Sequence, residues 1–360
     1  QTRTHVFYHF PALVDNFSST RPAHTGGQSV TDPATQAKSP ADTAHLRIVD
    51  RNKRVKVKEV RVSMTHSSNP SGWQDVAASM PQFDWASSTI TQGAFHDVAI
   101  LGTSEVVRLC RGVGHLDRAQ RELRTLAAVP SAGLSFAVPC AVGELATTAT
   151  WSAYATTFVP GHARLDIPWA EALEPLETVL ADLGRLPTDE LKAVRQWCGG
   201  DEWPDKVGQI LSNTEQSVRR SAKDVVARLL DIESTAPRTF VHGDFNLYNI
   251  LFLEGRVSAI IDFDSAGLGD PAADLAPLIG VFGSEHLRDI ADADTVQRAR
   301  AHRATLPLQV AVAADLVGDL NLRDHAIRNF SDRLASGTLE QPDLSRQRPA
   351  VAAPRRPWSG

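Results

Sequence analysis

The chain has 360 residues, of which 42% are hydrophobic and 22% charged, and this composition predicts a globular protein with one large domain or two lobes. Its net charge of −5 and pI near 6.2 argue against a nucleic-acid binder, whose phosphate contacts need a basic surface. Three widely spaced cysteines indicate neither a disulfide framework nor a zinc cluster. Since the sequence also has no membrane-spanning apolar run and no signal-peptide pattern, we expect a cytoplasmic protein that is not membrane-bound.

The first residues of the chain differ from the rest. Residues 19–44 are rich in small and polar side chains, which bury too little apolar surface to offset the entropy lost on folding. The stretch from Arg51 to Arg61 alternates basic residues with valines and fits an edge strand, a nucleic-acid patch or a solvated arm. Met64 is the first methionine and marks an alternative start. We therefore expect residues 1–75 to be a disordered or non-native extension.

Short apolar runs with β-branched residues predict a strand-rich segment over residues 76–159. The runs expected to form strands are Ser88–Thr91, Asp97–Leu101, Glu105–Leu109, Phe136–Val142 and Tyr154–Val159. A helix is expected over Asp117–Val129, where apolar residues recur at helical spacing. Pro160 and Gly161 then break the pattern.

The chain after this break is predicted to be mainly helical. Apolar residues recur at helical spacing in three segments, Trp169–Leu183, Asp189–Trp197 and Trp203–Leu230. Residues 339–360 include a Pro-, Ala- and Arg-rich stretch and are expected to form a disordered tail. The sequence thus predicts an α+β protein with a small β-rich lobe over residues 76–159 and a larger, mainly α-helical lobe over residues 160–338.

The segment from Phe240 to Ala276 carries the most informative pattern. Two apolar strands are expected at Ile250–Leu253 and Val257–Phe263, and Glu254 and Gly255 between them fit a two-residue hairpin turn. This hairpin brings polar residues at its two ends close together.

A turn centred on these two residues places Asn249 opposite Ile260 and one diagonal step from Asp262 on the same face. Diagonal neighbours lie about 7 to 8 Å apart, so an amide oxygen and a carboxylate can converge on one ion. So few oxygen ligands suit magnesium, which takes others from water and substrate phosphates. Asp244 lies five residues before Asn249, at the mouth of the hairpin. A metal clamp and a carboxylate that accepts a proton from an attacking hydroxyl are the main groups that phosphoryl transfer needs.

The order and spacing of these residues resemble the aminoglycoside phosphotransferase family, which is related to choline kinases and protein kinases. His242-Gly243-Asp244 is followed after four residues by Asn249, then by Asp262 in an Ile-Asp-Phe element, and then by Gly269-Asp270-Pro271. The resemblance covers roughly residues 88–333. It implies a two-lobed, protein-kinase-like fold that uses ATP and Mg²⁺.

The resemblance also implies a role for each polar residue of the hairpin. Asp244 is expected to be the catalytic base, and Asn249 and Asp262 are expected to bind magnesium. Asp264 faces the same side as Asp262 if the strand continues. It is then a supporting group, a contact for a cationic substrate, or a solvent-exposed residue.

The resemblance implies that three further residues support the structure of the site: His242, Asp270 and Asp274. Their residue types alone favour other interpretations. A histidine at such a position is most often a hydrogen-bonded loop anchor, and Asp270 and Asp274 are most often turn residues or helix caps.

The first lobe is expected to cover the nucleotide. By resemblance, Gly93 belongs to a phosphate-covering hairpin, where glycine allows close backbone approach. Arg108 fills the position of the phosphate-binding cation and Glu122 is its expected partner, with Arg111 as a rival for Arg108. Phe158–Gly161 resembles the hinge that holds adenine.

The acceptor is expected to be the hydroxyl group of a small molecule. Gly269-Asp270-Pro271 begins seven residues after Asp262, which leaves no room for the activation segment on which protein kinases dock peptides. The resemblance suggests that the acceptor is an antibiotic of the aminoglycoside or tuberactinomycin type. Cationic antibiotics are among these candidates. The alternatives are a macrolide and a metabolic acceptor such as homoserine, choline or a sugar. We expect a monomer or homodimer.

Two functions from other classes remain open on the sequence alone. One is a pseudokinase-like binding module, but such a module has no need for Asp244, Asn249 and Asp262 together. The other is a nucleic-acid-associated protein that uses the basic arm Arg51–Arg61. The acidic balance of the chain argues against this second function.

Overall fold

The computed structural model describes residues 72–92, 96–129, 133–188 and 191–342. Within these ranges the chain forms ten β-strands and eight α-helices. The strands before Pro160 form one five-stranded sheet, and α-helices dominate the chain after it, which agrees with the predicted two-lobed α+β fold. In the described part of the chain, no helix is both long enough and apolar enough to cross a membrane.

The first lobe is an antiparallel sheet with the strand order β1-β2-β3-β5-β4. The strands are β1 (Ser88–Gln92), β2 (His96–Leu101), β3 (Glu105–Arg111), β4 (Ala141–Thr147) and β5 (Trp151–Thr157), accompanied by helices α1 (Trp73–Ser79) and α2 (His115–Ala128). Successive side chains of a strand point to opposite faces, so β2 packs on both sides. Ala99 joins the cluster around Trp73 of α1. Val98 joins the opposite cluster, which includes Leu251 of the second lobe.

The strands at 88–92, 96–101, 105–111 and 151–157 overlap four of the predicted strands. The predicted strand over Phe136–Val142 is wrong for residues 136–140, and only Ala141 and Val142 lie in a strand, β4. Phe136 and Val138 are buried in the core of the second lobe, and Ala137 forms an isolated bridge with Ala259. The segment connects α2 to β4, and its apolar residues reflect burial against the second lobe.

The described structure extends into both predicted disordered ends. Trp73 is buried in the first lobe, although the sequence predicts a non-native or disordered extension over residues 1–75. Glu340 forms an ion pair with Arg300 at 3.0 Å, although the predicted disordered tail begins at residue 339. The basic arm Arg51–Arg61 lies outside the described residues.

Five short strands position the polar residues of the second lobe. They are β6 (His162–Ala163), β7 (Thr239–Val241), β8 (Ile250–Leu253), β9 (Arg256–Ile260) and β10 (Gly267–Gly269). The predicted hairpin is formed by β8 and β9, with β6 beside β8, and β7 pairs with β10. Glu254 and Gly255 have φ values of 51° and 81°, as expected for a two-residue turn that follows the strand twist.

The register of this hairpin differs from the prediction by one residue. The backbone of Asn249 pairs with Ile261, whose N–H donates to the Asn249 carbonyl oxygen at 3.0 Å, instead of with Ile260. The shift arises because Ser258 has no partner on β8 and forms a bulge. Since β9 ends at Ile260, Asp262 lies beyond the ladder and not within a strand.

Six helices build most of the second lobe. They are α3 (Trp169–Leu183), α4 (Trp203–Ile210), α5 (Gln216–Thr235), α6 (Ala272–Phe282), α7 (Ala293–Val317) and α8 (Leu320–Ala335). The bounds of α3 agree with the prediction. Helix α7 lies in the middle of the lobe and packs against α4, α5, α6 and α8.

Two helix predictions in this lobe are wrong. A helix is predicted from Asp189 to Trp197, but the described residues 191–197 run beside β10, where the Val194 N–H donates to the Leu268 carbonyl oxygen at 3.0 Å. The single helix predicted over residues 203–230 is divided into α4 and α5. Ser, Asn and Thr at positions 212–214 account for the break, because their side chains compete for backbone hydrogen bonds.

Candidate active site

His242 anchors the loop between β7 and β8, and its ring is fully buried. Its Nε2 lies 3.0 Å from the Ile261 carbonyl oxygen, and its Nδ1 lies 3.3 Å from the backbone nitrogen of Asp244. A carbonyl only accepts and a backbone N–H only donates, so Nε2 carries the proton and the ring is neutral. Burial lowers the pKa of His242 to about 4, in agreement with this form. The loop-anchor interpretation of His242 fits these contacts.

Asp274, in the first turn of α6, holds the same loop. Its carboxylate accepts the backbone N–H groups of His242 and Gly243, each at 2.8 Å. The turn or cap interpretation of Asp274 is therefore wrong, because both oxygens face the loop and not the helix that carries them. Asp270 fits the turn interpretation, since it lies just before α6 and accepts the N–H of Ala272 at 3.0 Å.

Gly243 lets this loop pass close to the turn formed by residues 263–265. Its φ is 82°, and a Cβ at this position would overlap the carbonyl oxygen of Ser265. Gly255 has a similar φ of 81°, but a Cβ there would meet open space. The two glycines therefore share a backbone conformation and differ in their surroundings.

We expect Gly243→Ala to destabilise the fold more than Gly255→Ala. Both variants carry a left-handed φ, which costs a non-glycine residue about 1–2 kcal/mol. Only Gly243→Ala adds overpacking, which typically costs about 1–3 kcal/mol more. Chemical denaturation of both variants measures the difference, and equal losses would contradict the close approach of the loop to Ser265.

The carboxylate of Asp244 is held by two asparagine side chains. Asn246 Nδ2 donates to Oδ1 at 2.7 Å, and Asn249 Nδ2 donates to Oδ2 at 3.0 Å. Burial, together with the negative charges of Asp262 and Asp264, raises the pKa of Asp244. The residue is half-buried. An oriented carboxylate on a half-buried residue is suited to accept a proton from a bound hydroxyl.

The side-chain amide of Asn249 has a defined direction. Its Nδ2 donates to the Asp244 carbonyl oxygen at 2.9 Å as well as to the Asp244 carboxylate. The amide oxygen Oδ1 is therefore turned away from Asp244. It accepts no hydrogen bond from any residue that the structure describes. A free amide oxygen is a suitable ligand for a hard cation.

Asp262 joins the two lobes. It has a left-handed backbone conformation, with φ 69° and ψ 63°, which is uncommon for a residue other than glycine. Its Oδ1 lies 2.7 Å from Arg108 Nη2, and both residues are buried. Burial raises the pKa of Asp262, and the positive charge of Arg108 opposes this effect. The structure thus brings the expected nucleotide-binding cation and the expected metal ligand into direct contact.

Arg108 also pairs with Glu122, whose Oε2 lies 3.1 Å from Arg108 Nε. This pairing agrees with the prediction, while contact of either residue with a nucleotide stays a prediction. Tyr154 on β5 lies opposite Arg108, and its hydroxyl donates to the same Glu122 oxygen. The rival Arg111 pairs with Asp97 at 3.2 Å instead. Sequence reasoning missed Tyr154, which the pairing of β3 with β5 would have placed beside Arg108.

Asp264 is buried and faces the first lobe. Its carboxylate lies 3.5 Å from His96 Nδ1, and its carbonyl oxygen accepts from Arg121 Nε at 3.1 Å. Exposure to solvent is therefore wrong for Asp264, while contact with a cationic substrate stays a prediction. The reason is that the chain leaves the strand at residue 260 and forms a short 3₁₀ turn, which directs Asp264 towards β2 and α2.

An apolar cluster lies between the lobes beside these polar residues. It is formed by Val98, Ile100, Val106, Val159, Leu251, Ala259 and Ile261. Gly93 lies outside the described residues. In the predicted hinge Phe158–Gly161, the N–H of Phe158 donates to the Ser104 carbonyl oxygen at 2.8 Å.

Comparison with known proteins identifies relatives of the chain. The sequence profile of the phosphotransferase enzyme family (APH) matches residues 88–308, which is more than half of the chain. Viomycin phosphotransferase of Streptomyces vinaceus is 27% identical over 252 residues, covering 64% of this chain and 88% of that protein.

Solved structures share the fold. The ternary complex of APH(2")-IIa with streptomycin and ATP matches with a TM-score of 0.55 and 14% identity, covering 74% of this chain and 97% of that one. The GDP complex of wild-type aminoglycoside 2'-phosphotransferase-IIIa matches with a TM-score of 0.60 and 13% identity, covering 74% of this chain and 99% of that one. The kinase-like fold predicted from the sequence is confirmed.

Proposed function

Because the chain belongs to the phosphotransferase enzyme family, we propose that it transfers the γ-phosphoryl group of ATP to a hydroxyl group of a small-molecule antibiotic. One observation carries this proposal. Asp244, Asn249 and Asp262 lie together at the end of one hairpin, and Arg108 of the other lobe contacts Asp262. Phosphoryl transfer depends on positioned charges around the phosphates and a carboxylate at the attacking hydroxyl, which are the groups assembled here.

In this proposal Asp244 accepts the proton of the attacking hydroxyl. Asn246 and Asn249 each donate to one of its oxygens, so the carboxylate is oriented before a substrate arrives. Such preorganisation lowers the barrier because the protein does not have to reorient during the reaction. The partial exposure of Asp244 leaves an approach for the acceptor.

Asn249 and Asp262 fit a magnesium ion. Among the described residues, no cluster of three or more His, Cys, Asp or Glu side chains is arranged to hold a metal. One carboxylate and one free amide oxygen are a smaller set, which suits magnesium because that ion keeps waters and binds substrate phosphates. The bound ion would supply charge neutralisation at the β- and γ-phosphates.

The first lobe contributes the nucleotide site. Arg108 is held between Glu122 and Asp262, so its guanidinium is directed towards the metal ligands, where the phosphates of ATP would lie. The apolar cluster between the lobes offers a surface for a flat base next to these charges. Neighbours of the same fold were solved with ATP and with GDP.

The short interval between Asp262 and Gly269 favours a small-molecule acceptor over a peptide. Between Asp262 and Gly269 the chain forms a buried 3₁₀ turn and then β10, which pairs with β7, so this interval holds no extended docking segment. The relative named viomycin phosphotransferase and the neighbours that bind streptomycin or gentamicin favour an antibiotic of the tuberactinomycin or aminoglycoside type. The reaction belongs in the cytoplasm, where ATP is abundant.

A panel of acceptors tests this function. With labelled ATP and magnesium, we expect phosphate incorporation into viomycin or an aminoglycoside such as kanamycin, with a kcat/KM at least about 10⁴ M⁻¹s⁻¹, the low end for natural substrates. Homoserine, choline, a simple sugar and a macrolide serve as competitors in the same assay. Turnover of a competitor alone would overturn the choice of acceptor, and transfer to none of them would overturn the proposed activity.

A further inference from the structure

His96 lies beside Arg108, yet the proposed reaction gives it no role. It is the first residue of β2 and alternates with Val98 and Ile100, which pack towards the second lobe. Only 6% of its surface is exposed. Its imidazole is therefore enclosed on the side of the first lobe that faces the second lobe.

The contacts of His96 Nδ1 fix the tautomer of the ring. Arg108 Nη2 lies 3.3 Å from Nδ1, and a guanidinium can only donate, so Nδ1 accepts and the ring hydrogen is on Nε2. Asp264 Oδ2, at 3.5 Å from the same nitrogen, favours protonation. Burial and the positive charge of Arg108 outweigh it and lower the pKa of His96 to about 3. The ring is thus neutral, with Nε2–H as its donor.

This Nε2–H has no hydrogen-bond partner among the residues that the structure describes. A buried donor without an acceptor is unfavourable and uncommon in native proteins, which suggests that a ligand supplies the acceptor. Arg118 and Arg121 add positive potential at the same ring. A negatively charged acceptor is therefore favoured over a neutral one.

We propose that His96 binds the nucleotide phosphates, with Nε2–H donating to a phosphate oxygen while Nδ1 accepts from Arg108. This inference rests on the proposed function, because it requires a nucleotide beside Arg108 and Asp262. The phosphate accounts for the unpartnered donor. It also accounts for a neutral ring, since Arg108 holds Nδ1 as an acceptor and leaves the hydrogen on the opposite nitrogen.

Binding calorimetry tests the proposal without any acceptor. Affinities of MgATP, MgADP and AMP are compared between the wild type and His96→Phe, which keeps a ring but removes the donor. We expect MgATP to bind roughly tenfold more weakly, the effect of losing one hydrogen bond to a charged group, while AMP binding changes less than twofold. A loss shared equally by MgATP and AMP, or no loss, would overturn the proposal.

Two polar substitutions of His96 provide a test that does not depend on correct folding of His96→Phe. In His96→Gln the amide nitrogen reaches the place of Nε2, and in His96→Asn only the place of Nδ1 is filled. We expect His96→Gln to keep MgATP affinity within about threefold and His96→Asn to lose it about tenfold. The reverse order would mean that the contact with Arg108 matters and would also overturn the proposal.

The matched control is His115→Gln in the same lobe. His115 bonds Ser152 at 2.8 Å and should leave the ratio of MgATP to AMP affinity unchanged. A shift of this ratio in the control would show a general effect of the lobe and overturn the assignment to His96. If the wild type binds no MgATP, the proposed function fails as well, whereas normal MgATP binding by His96→Phe defeats this inference alone.

Discussion

Replacing Asp262 with asparagine should reduce ATP-dependent phosphate transfer by at least about 10³-fold, the scale of losing a preorganised charge at the reacting centre. Asparagine is the informative substitution because it tolerates the left-handed φ of 69° at this position and can still accept from Arg108. The variant therefore keeps the backbone and changes the charge. We expect kcat/KM to fall at every accessible magnesium concentration. The measurement is steady-state turnover of ATP with the acceptor found in the panel.

Asn249→Ala provides the comparison for this result. It removes the neutral ligand, so magnesium affinity should fall while the ionic contribution of Asp262 remains, and high magnesium should restore part of the activity. Near-normal turnover by Asp262→Asn at ordinary magnesium would contradict the metal assignment. Rescue of both variants to the same extent by magnesium would contradict the distinction between the two ligands.

The sequence predicts the elements of this site better than their arrangement. Helix α3 has the predicted bounds because its apolar residues follow one helical stripe, and the hairpin is found because Glu254 and Gly255 suit its turn. Both signals are local. The polar residues Asp244, Asn249 and Asp262 follow from the same local pattern together with the family resemblance.

The misplaced residues depend on contacts between distant segments. The register is shifted by the bulge at Ser258. The hydroxyl group of Ser258 donates hydrogen bonds to the carbonyl oxygens of Pro160 and Leu251. Asp264 turns to the first lobe because His96 and Arg121 lie there. A strand pattern in one segment carries no information about Pro160, which lies 98 residues before Ser258, or Arg121, which lies 143 residues before Asp264, so neither outcome could be read from the hairpin alone.

Replacing Asp244 with asparagine should separate the base from the metal ligands. The variant removes the proton acceptor, and general-base assistance typically contributes about 10²- to 10⁴-fold to the rate. In a loose transition state the proton leaves late, which favours the lower half of that range. We expect the loss in kcat, with MgATP affinity measured by calorimetry unchanged, because Asp244 is assigned to the acceptor hydroxyl and not to the metal.

The pH dependence gives a second readout. Burial, Asp262 and Asp264 raise the pKa of Asp244, and the base is active only when ionised. The kcat of the wild type should therefore rise with pH through that pKa and level off above it, and Asp244→Asn should lack this rise. A wild-type rise that persists in the variant would assign the titration to another group.

The loop around Asp244 needs its own control, because asparagine has a single acceptor oxygen and cannot satisfy both Asn246 and Asn249 as the carboxylate does. Asn246→Ala removes one of these two donors and leaves the base in place. If disturbance of the loop caused the loss, Asn246→Ala would match Asp244→Asn, whereas a missing base leaves Asn246→Ala at least about tenfold more active. Loss of MgATP binding in Asp244→Asn, with kcat retained at saturating substrate, would make Asp244 a metal ligand and reverse the assignment.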